Sequence, residues 1–288
     1  MPYSTLPASP LVPGISPVTI YDREQGAGTP LIFLHGGWGY EVYPIARQLP
    51  ALSERCRIII PDRSGYGRST KLAGELPADF HYRAATETLL FLDAMRIERA
   101  VFWGHSDGAV IAAILGFTAP ERVGGLILEA FHYFRSKPAS KRFFETLAHQ
   151  PEMLGEELCE RFAREHGRDS WRHLITTHAK AWLEIGAQES VNGRPTGNEA
   201  LTPNAQATSC LDLYGGRLNE IAAPTLIIHG RLDPRTEPGE LEAMRHELSH
   251  AEVQLLDEGA HSPHSESATA ELVADGVNAF VRRTLNSR

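Results

Sequence analysis

Cysteine is scarce. The 288 residues hold three, Cys56, Cys159 and Cys210, an odd and widely spaced set. Such a set supplies no disulfide framework and fits reduced thiols in a cytoplasm. Positive charge is also short: 28 Lys and Arg face 36 Asp and Glu, for a formal net charge of −8, and no basic block occurs. The electrostatic footprint of a nucleic-acid-binding protein is therefore absent. The acidic balance speaks for solubility and names no partner. No run of about 18 apolar residues exists, so no membrane-spanning helix and no membrane partner are expected. The first residues, MPYSTLPASPLVPGISP, have neither the basic nor the apolar region of a secretory signal. Their prolines make residues 1–17 read as a loose arm. What remains is ordinary for a globular chain, 42% hydrophobic and 22% charged.

Short apolar runs punctuate the chain: PLIFLHG (30–36), RIIIPD (57–62), AVFWGHS (100–106), GLILEA (125–130), TLIIHG (225–230) and VQLLDEG (253–259). Each has the length of a buried strand. Helical patterns lie between them. Over 79–96, Phe80, Ala84, Thr88, Leu92 and Met95 recur at spacings of three and four, one helix face. The stretch 108–120 is apolar nearly all round and predicts a buried helix, and two more helices are expected at 237–249 and 267–284. Strands alternating with helices predict an α/β fold with a parallel sheet. Between 131 and 222 no comparable strand appears. That segment carries Trp171, Trp182 and the patch VNGRPTGNEALTPN, and reads as a mostly helical lid. The expected core is then 18–130 together with 223–288.

The strongest local signal is G-H-S-D-G, Gly104 to Gly108, lying between a strand and a helix. It fits G-x-S-x-G, in which a serine is exposed on a sharp strand-to-helix turn and the helix N-terminus faces developing negative charge. Ser106 is the candidate nucleophile. A serine needs a base. His261 follows the last strand and the turn glycine Gly259, with His264 as its rival three residues on. The base needs an acid to hold its tautomer. Asp233, in HGRLDP after the strand TLIIHG, is at a strand end, and the order Ser, Asp, His is that of the nucleophile-elbow hydrolases. Two backbone N–H groups are needed for an oxyanion: that of Asp107, after the nucleophile, and that of Gly37 or Trp38 in the turn H-G-G-W-G (35–39). His35 reads as a brace of that turn.

These pieces resemble the α/β-hydrolase family: LHGGWG (34–39), PDRSGYGRS (61–69), GHSDG (104–108), HGRLDP (229–234) and GAHSPH (259–264) together span 34–264. The resemblance implies an eight-stranded, mostly parallel sheet with a lid between its sixth and seventh strands. VTIYDR (18–23) supplies a seventh strand, and the eighth is not read. In the family's D-x-x-G-x-G-x-S loop, Asp62, Gly65, Gly67 and Ser69 have structural roles. A serine at the elbow separates the chain from branches with an aspartate nucleophile. S-D-G is similar to the elbow of the biphenyl-hydrolase-like branch, which implies hydrolysis of α-amino-acid esters with Asp107 facing the substrate ammonium. The alternative is that Asp107 braces the elbow.

The expected function is that of a cofactor-free serine hydrolase of a small-molecule carboxylic ester, acting through an acyl-enzyme. A small-molecule receptor on the same fold and a cofactor-free C–C hydrolase or lyase are the alternatives. His132, Trp171 and Trp182 are candidate substrate contacts, with Phe131 beside them. The sequence HELSH (246–250) matches H-E-x-x-H, but no third ligand follows at a recognised spacing and a catalytic zinc needs three. No metal or other cofactor is therefore expected, and no oligomeric state follows from the sequence.

Overall fold

The computed structural model describes residues 2–188 and 212–286. Its strands are β1 (Tyr3–Leu6), β2 (Val18–Gln25), β3 (Thr29–Leu34), β4 (Cys56–Pro61), β5 (Ala100–His105), β6 (Val123–Glu129), β7 (Thr225–Gly230) and β8 (Glu252–Leu256). They form one sheet in the order β1-β2-β4-β3-β5-β6-β7-β8. The pairs β1–β2 and β2–β4 are antiparallel, and every pairing from β4 to β8 is parallel. The helices are α1 (Leu49–Ser53), α2 (Phe80–Ala94), α3 (Asp107–Thr118), α4 (Pro138–His149), α5 (Glu156–His166), α6 (Trp171–Ala187), α7 (Glu240–Glu247) and α8 (Ala270–Asn286).

The apolar runs become central strands because both sheet faces are covered. Along β3, Leu31 and Phe33 join Val101, Trp103, Val277 and Phe280 on the α8 side. Ile32 and Leu34 join Phe102, Ile111 and Leu115 on the α2 and α3 side. This is the two-residue alternation of a strand, with both faces apolar. Helix α3 is buried along nearly its whole length, as its all-round apolarity predicts.

The eighth strand, unread in the sequence, is β1, inside the segment expected to be a loose arm. Its burial alternates, Leu6 is fully buried, and it pairs with β2 from Tyr3↔Tyr21 to Leu6↔Val18. The prolines that suggested a loose chain flank this strand without interrupting it, as suits a sheet edge. Between β6 and β7 the described residues hold α4, α5 and α6. The patch VNGRPTGNEALTPN and Cys210 lie outside the described residues. Cys56 is buried and Cys159 partly exposed, both unpaired.

Candidate active site

The turn between β5 and α3 fixes Ser106 at φ 54°, ψ −120°, a left-handed conformation that costs a non-glycine residue roughly 1–3 kcal/mol. Two glycines permit it. A Cβ on Gly104 would stand 2.2 Å from the Gly108 carbonyl oxygen, and one on Gly108 would stand 1.8 Å from that of Leu34. The Ser106 N–H donates to the Glu129 carbonyl at 2.9 Å, and its own carbonyl accepts from Ala109 and Val110, starting the helix.

Three strand ends bring the sequence-predicted residues together. His261 Nε2 lies 3.1 Å from Ser106 Oγ, and His261 Nδ1 lies 2.9 Å from Asp233 Oδ2 and 3.0 Å from Oδ1. Burial works against the Asp233 carboxylate, but the charge and hydrogen bond of His261 outweigh it and hold the group ionised, well below the usual range. An ionised carboxylate only accepts. Nδ1 of His261 therefore carries the proton, and Nε2 turns its lone pair to the serine. His105 faces the His261 carbonyl at 2.9 Å and fixes the loop from behind.

The rival histidine sits elsewhere. His264 Nδ1 is 2.9 Å from Glu129 Oε1, and both side chains are fully buried. Burial opposes both charges, yet each partner's charge overcomes it: Glu129 is lowered and His264 raised. Trp103 Nε1 donates to the other Glu129 oxygen at 3.0 Å, and His264 Nε2 to the Tyr43 carbonyl at 2.9 Å.

Arg63 was not singled out from the sequence, although it lies in the D-x-x-G-x-G-x-S loop. Its buried guanidinium donates to the carbonyls of His35 and Gly36, the second at 3.0 Å. A trans peptide points its N–H opposite its carbonyl. Holding the Gly36 carbonyl thus aims the Gly37 N–H the other way. His35 braces the same turn: its Nε2 accepts the Arg63 N–H at 3.2 Å. Asp62 accepts from Arg23 at 2.7 Å and from the Arg68 N–H at 3.0 Å, shaping its loop.

A cavity of about 260 Å³ opens over Ser106, with Gly37, Trp38, Asp107, His132, Trp182 and His261 in its wall. His132 Nε2 lies 3.5 Å from Ser106 Oγ, and burial keeps this imidazole neutral. Asp107 also faces His81 Nε2 at 2.9 Å, His178 Nε2 at 2.6 Å and Trp182 Nε1 at 3.1 Å. Burial would raise it, but these neighbours, His178 first, hold it ionised. The carboxylate beside Ser106 is thus held by three side chains of α2 and α6.

Two sequence expectations lie apart from the cavity. Trp171, paired with Trp182 as a candidate contact, is buried against Phe162, ring centroids 5.8 Å apart. Eleven residues of helix span about 16 Å, so one end of α6 reaches the cavity and the other packs on α5. Phe131 is core, tilted over Tyr214 at 5.4 Å. The HELSH pair does not share a helix face: α7 ends at Glu247, and His250 beyond it faces the Ala223 carbonyl.

His178 and His81 lay hidden in the sequence. The one signal was a polar ring four residues from Trp182 on an otherwise apolar helix face, and which helix turn meets the Ser106 elbow is decided only by packing.

Known proteins agree with the architecture. A protein named "Probable proline iminopeptidase" from Leptolyngbya boryana is 25% identical over 324 residues, covering 97% of each chain. Pimeloyl-[acyl-carrier protein] methyl ester esterase of Aliivibrio salmonicida is 27% identical over 263 residues, 88% of this chain and 94% of that protein. The crystal structure of a hydrolase from Pseudomonas aeruginosa PA01 superposes with a TM-score of 0.68 at 21% identity, covering 97% of this chain and 98% of that one, a likeness of fold. The family model described as alpha/beta hydrolase fold matches residues 29–268, and the chain belongs to that family.

Proposed function

We propose that this hydrolase cleaves a carboxylic ester of a small molecule through an acyl-enzyme on Ser106. The observation that carries the reading is the unbroken relay from Ser106 Oγ to His261 Nε2, 3.1 Å, and from His261 Nδ1 to Asp233, 2.9 Å. His261 takes the serine proton as Oγ attacks the carbonyl carbon. The negative charge that forms on the carbonyl oxygen is received by the N–H groups of Asp107 and Gly37. Gly37 is preferred over Trp38 because Arg63 fixes its peptide plane. His261 then returns the proton to the leaving alkoxide. A water molecule, deprotonated by the same imidazole, releases the acid and restores the serine. Helices α4 and α6 supply the outer wall of the cavity and act as the lid.

The α-amino-ester reading gains no support from the site. The carboxylate that would receive an ammonium is already taken by three donors, and bracing the elbow is the role that fits Asp107.

The test is Ser106→Ala with an aryl ester series. Turnover is expected to fall by about 10⁴-fold or more while the circular dichroism spectrum is kept. A fluorophosphonate is expected to phosphonylate Ser106 in the wild type, with loss of fluoride and a mass gain equal to the reagent less HF, and not in the variant. Undiminished turnover by a folded Ser106→Ala protein overturns the reading.

A further inference from the structure

The cavity wall contains a cation that the reaction above does not use. Arg235 follows Asp233 by two residues and lines the same cavity as Ser106 and His261. Its main chain is pinned, since its N–H donates to Asp233 Oδ1 at 2.9 Å and its carbonyl faces Lys137 Nζ. Its guanidinium is different. The central carbon lies 3.7 Å from the centre of the Phe143 ring and within 6 Å of Phe144 and Trp38. Among the described residues no carboxylate or carbonyl accepts from it. Neighbouring cations do have acceptors: Lys137 pairs with Glu240, and Arg63 with two carbonyls.

The carboxylates in and beside the wall make their hydrogen bonds to other donors. Asp107 holds three donors. Asp233 holds His261 and the Arg235 N–H. Glu266 accepts the Ala260 N–H at 2.7 Å and the Ser262 N–H at 2.8 Å. A guanidinium stacked on a ring is engaged through its face, and its N–H groups lie in its plane, free for a two-pronged contact with a carboxylate. Burial among aromatic rings weakens the competing hydration of the cation and lowers its pKa.

Resting on the serine-hydrolase reading and adding to it, we propose that Arg235 holds an ionised carboxylate of the substrate. The compound cleaved is then an ester that carries a second, free acid group.

Two matched pairs of esters test this and locate the acid. One compares 4-nitrophenyl hydrogen glutarate with 4-nitrophenyl pentanoate, charge on the acyl side. The other compares 4-carboxyphenyl butanoate with 4-carbamoylphenyl butanoate, charge on the leaving group. The readout is the charged-to-neutral ratio of kcat/KM, which cancels general damage to the fold. In the wild type the ratio is expected to be tenfold or more in one pair. In Arg235→Gln it is expected to drop by about 10–100-fold, with Arg235→Lys between. A wild-type ratio below tenfold in both pairs, or a ratio that Arg235→Gln leaves within twofold, overturns the proposal. If no ester is turned over, or Ser106→Ala turns them over undiminished, it is the serine mechanism that falls. Glutarate binding to Ser106→Ala, measured by calorimetry, then decides. An affinity that Arg235→Gln weakens tenfold or more supports the carboxylate site, and no binding or an unaltered affinity overturns it.

Discussion

Glu165 shows how one buried side chain sets a pH dependence. Burial pushes its carboxyl up to about 8, and its Oε2 has no hydrogen-bond partner, while Oε1 accepts the Glu41 N–H at 3.0 Å. The folded chain therefore keeps this proton over a range in which the unfolded chain has lost it. The folded state binds more protons, so stability falls as pH rises from about 4.5 towards about 8. Glu165→Gln mimics the protonated form. Its melting temperature is expected to exceed that of the wild type at pH 8.5, by the equivalent of about 1 kcal/mol or more, and to match it near pH 4.5. Ser106, Asp233 and His261 were legible because each follows a strand end with a glycine close before it, positions that sequence marks. Arg235 was not legible: what singles it out is that, among the described residues, nothing accepts a hydrogen bond from its guanidinium, and sequence does not show contacts.

The join of β5, α3 and β3 leaves no room for a side chain at Gly104 or Gly108. A Cβ on Gly108 would stand 1.8 Å from a backbone oxygen of β3, which no side-chain movement relieves. Gly108→Ala is expected to cost about 1–3 kcal/mol or more in urea unfolding. It is also expected to lower kcat beyond that cost, because the shift displaces the Asp107 N–H. Gly155→Ala gives the contrast: its φ of 92° carries strain, but open space surrounds it, so stability should move without kcat. The central strands were legible because apolar residues on both faces leave a continuous run. The edge strand β1 was not, since four residues among prolines carry too little pattern, and its pairing with β2 decides it. Helix ends shifted for a similar reason: α7 covers Glu240–Glu247, shorter than the 237–249 expected, because Gly239 turns left-handed before it.

The fold as a unit is tied together through Glu129. At the end of β6 this carboxylate joins Trp103 of β5, the loop holding His264 after β8, and through His264 the Tyr43 carbonyl after β3. The ionic part of this link depends on pH in two directions. His264 is raised above 6.5, so its contribution is complete below 6.5 and is lost as pH climbs through the folded value. Glu129 is lowered below 4.5, so its contribution is complete above 4.5 and is lost as pH falls through the folded value. Both are complete between 4.5 and 6.5. In that window His264→Gln should destabilise the protein by about 3–5 kcal/mol, read from urea midpoints, and Glu129→Gln with His264→Gln together should lose less than the two added. The overall architecture was readable because five motifs fall at strand ends in a fixed order. The wall of the cavity was readable only in part: Gly37, Trp38, His132 and Trp182 were expected there, whereas Phe143, Phe144 and His178 come from helices whose facing depends on packing. Asp107 links the two. It stands next to Ser106, yet two of its three donors, His178 and Trp182, belong to α6. The segment after β6 is therefore no interchangeable cassette. A transplant of that segment from a relative without an imidazole and an indole at these two places would strand a buried anion one residue from Ser106, so new specificities are better sought by point changes around the cavity than by grafting.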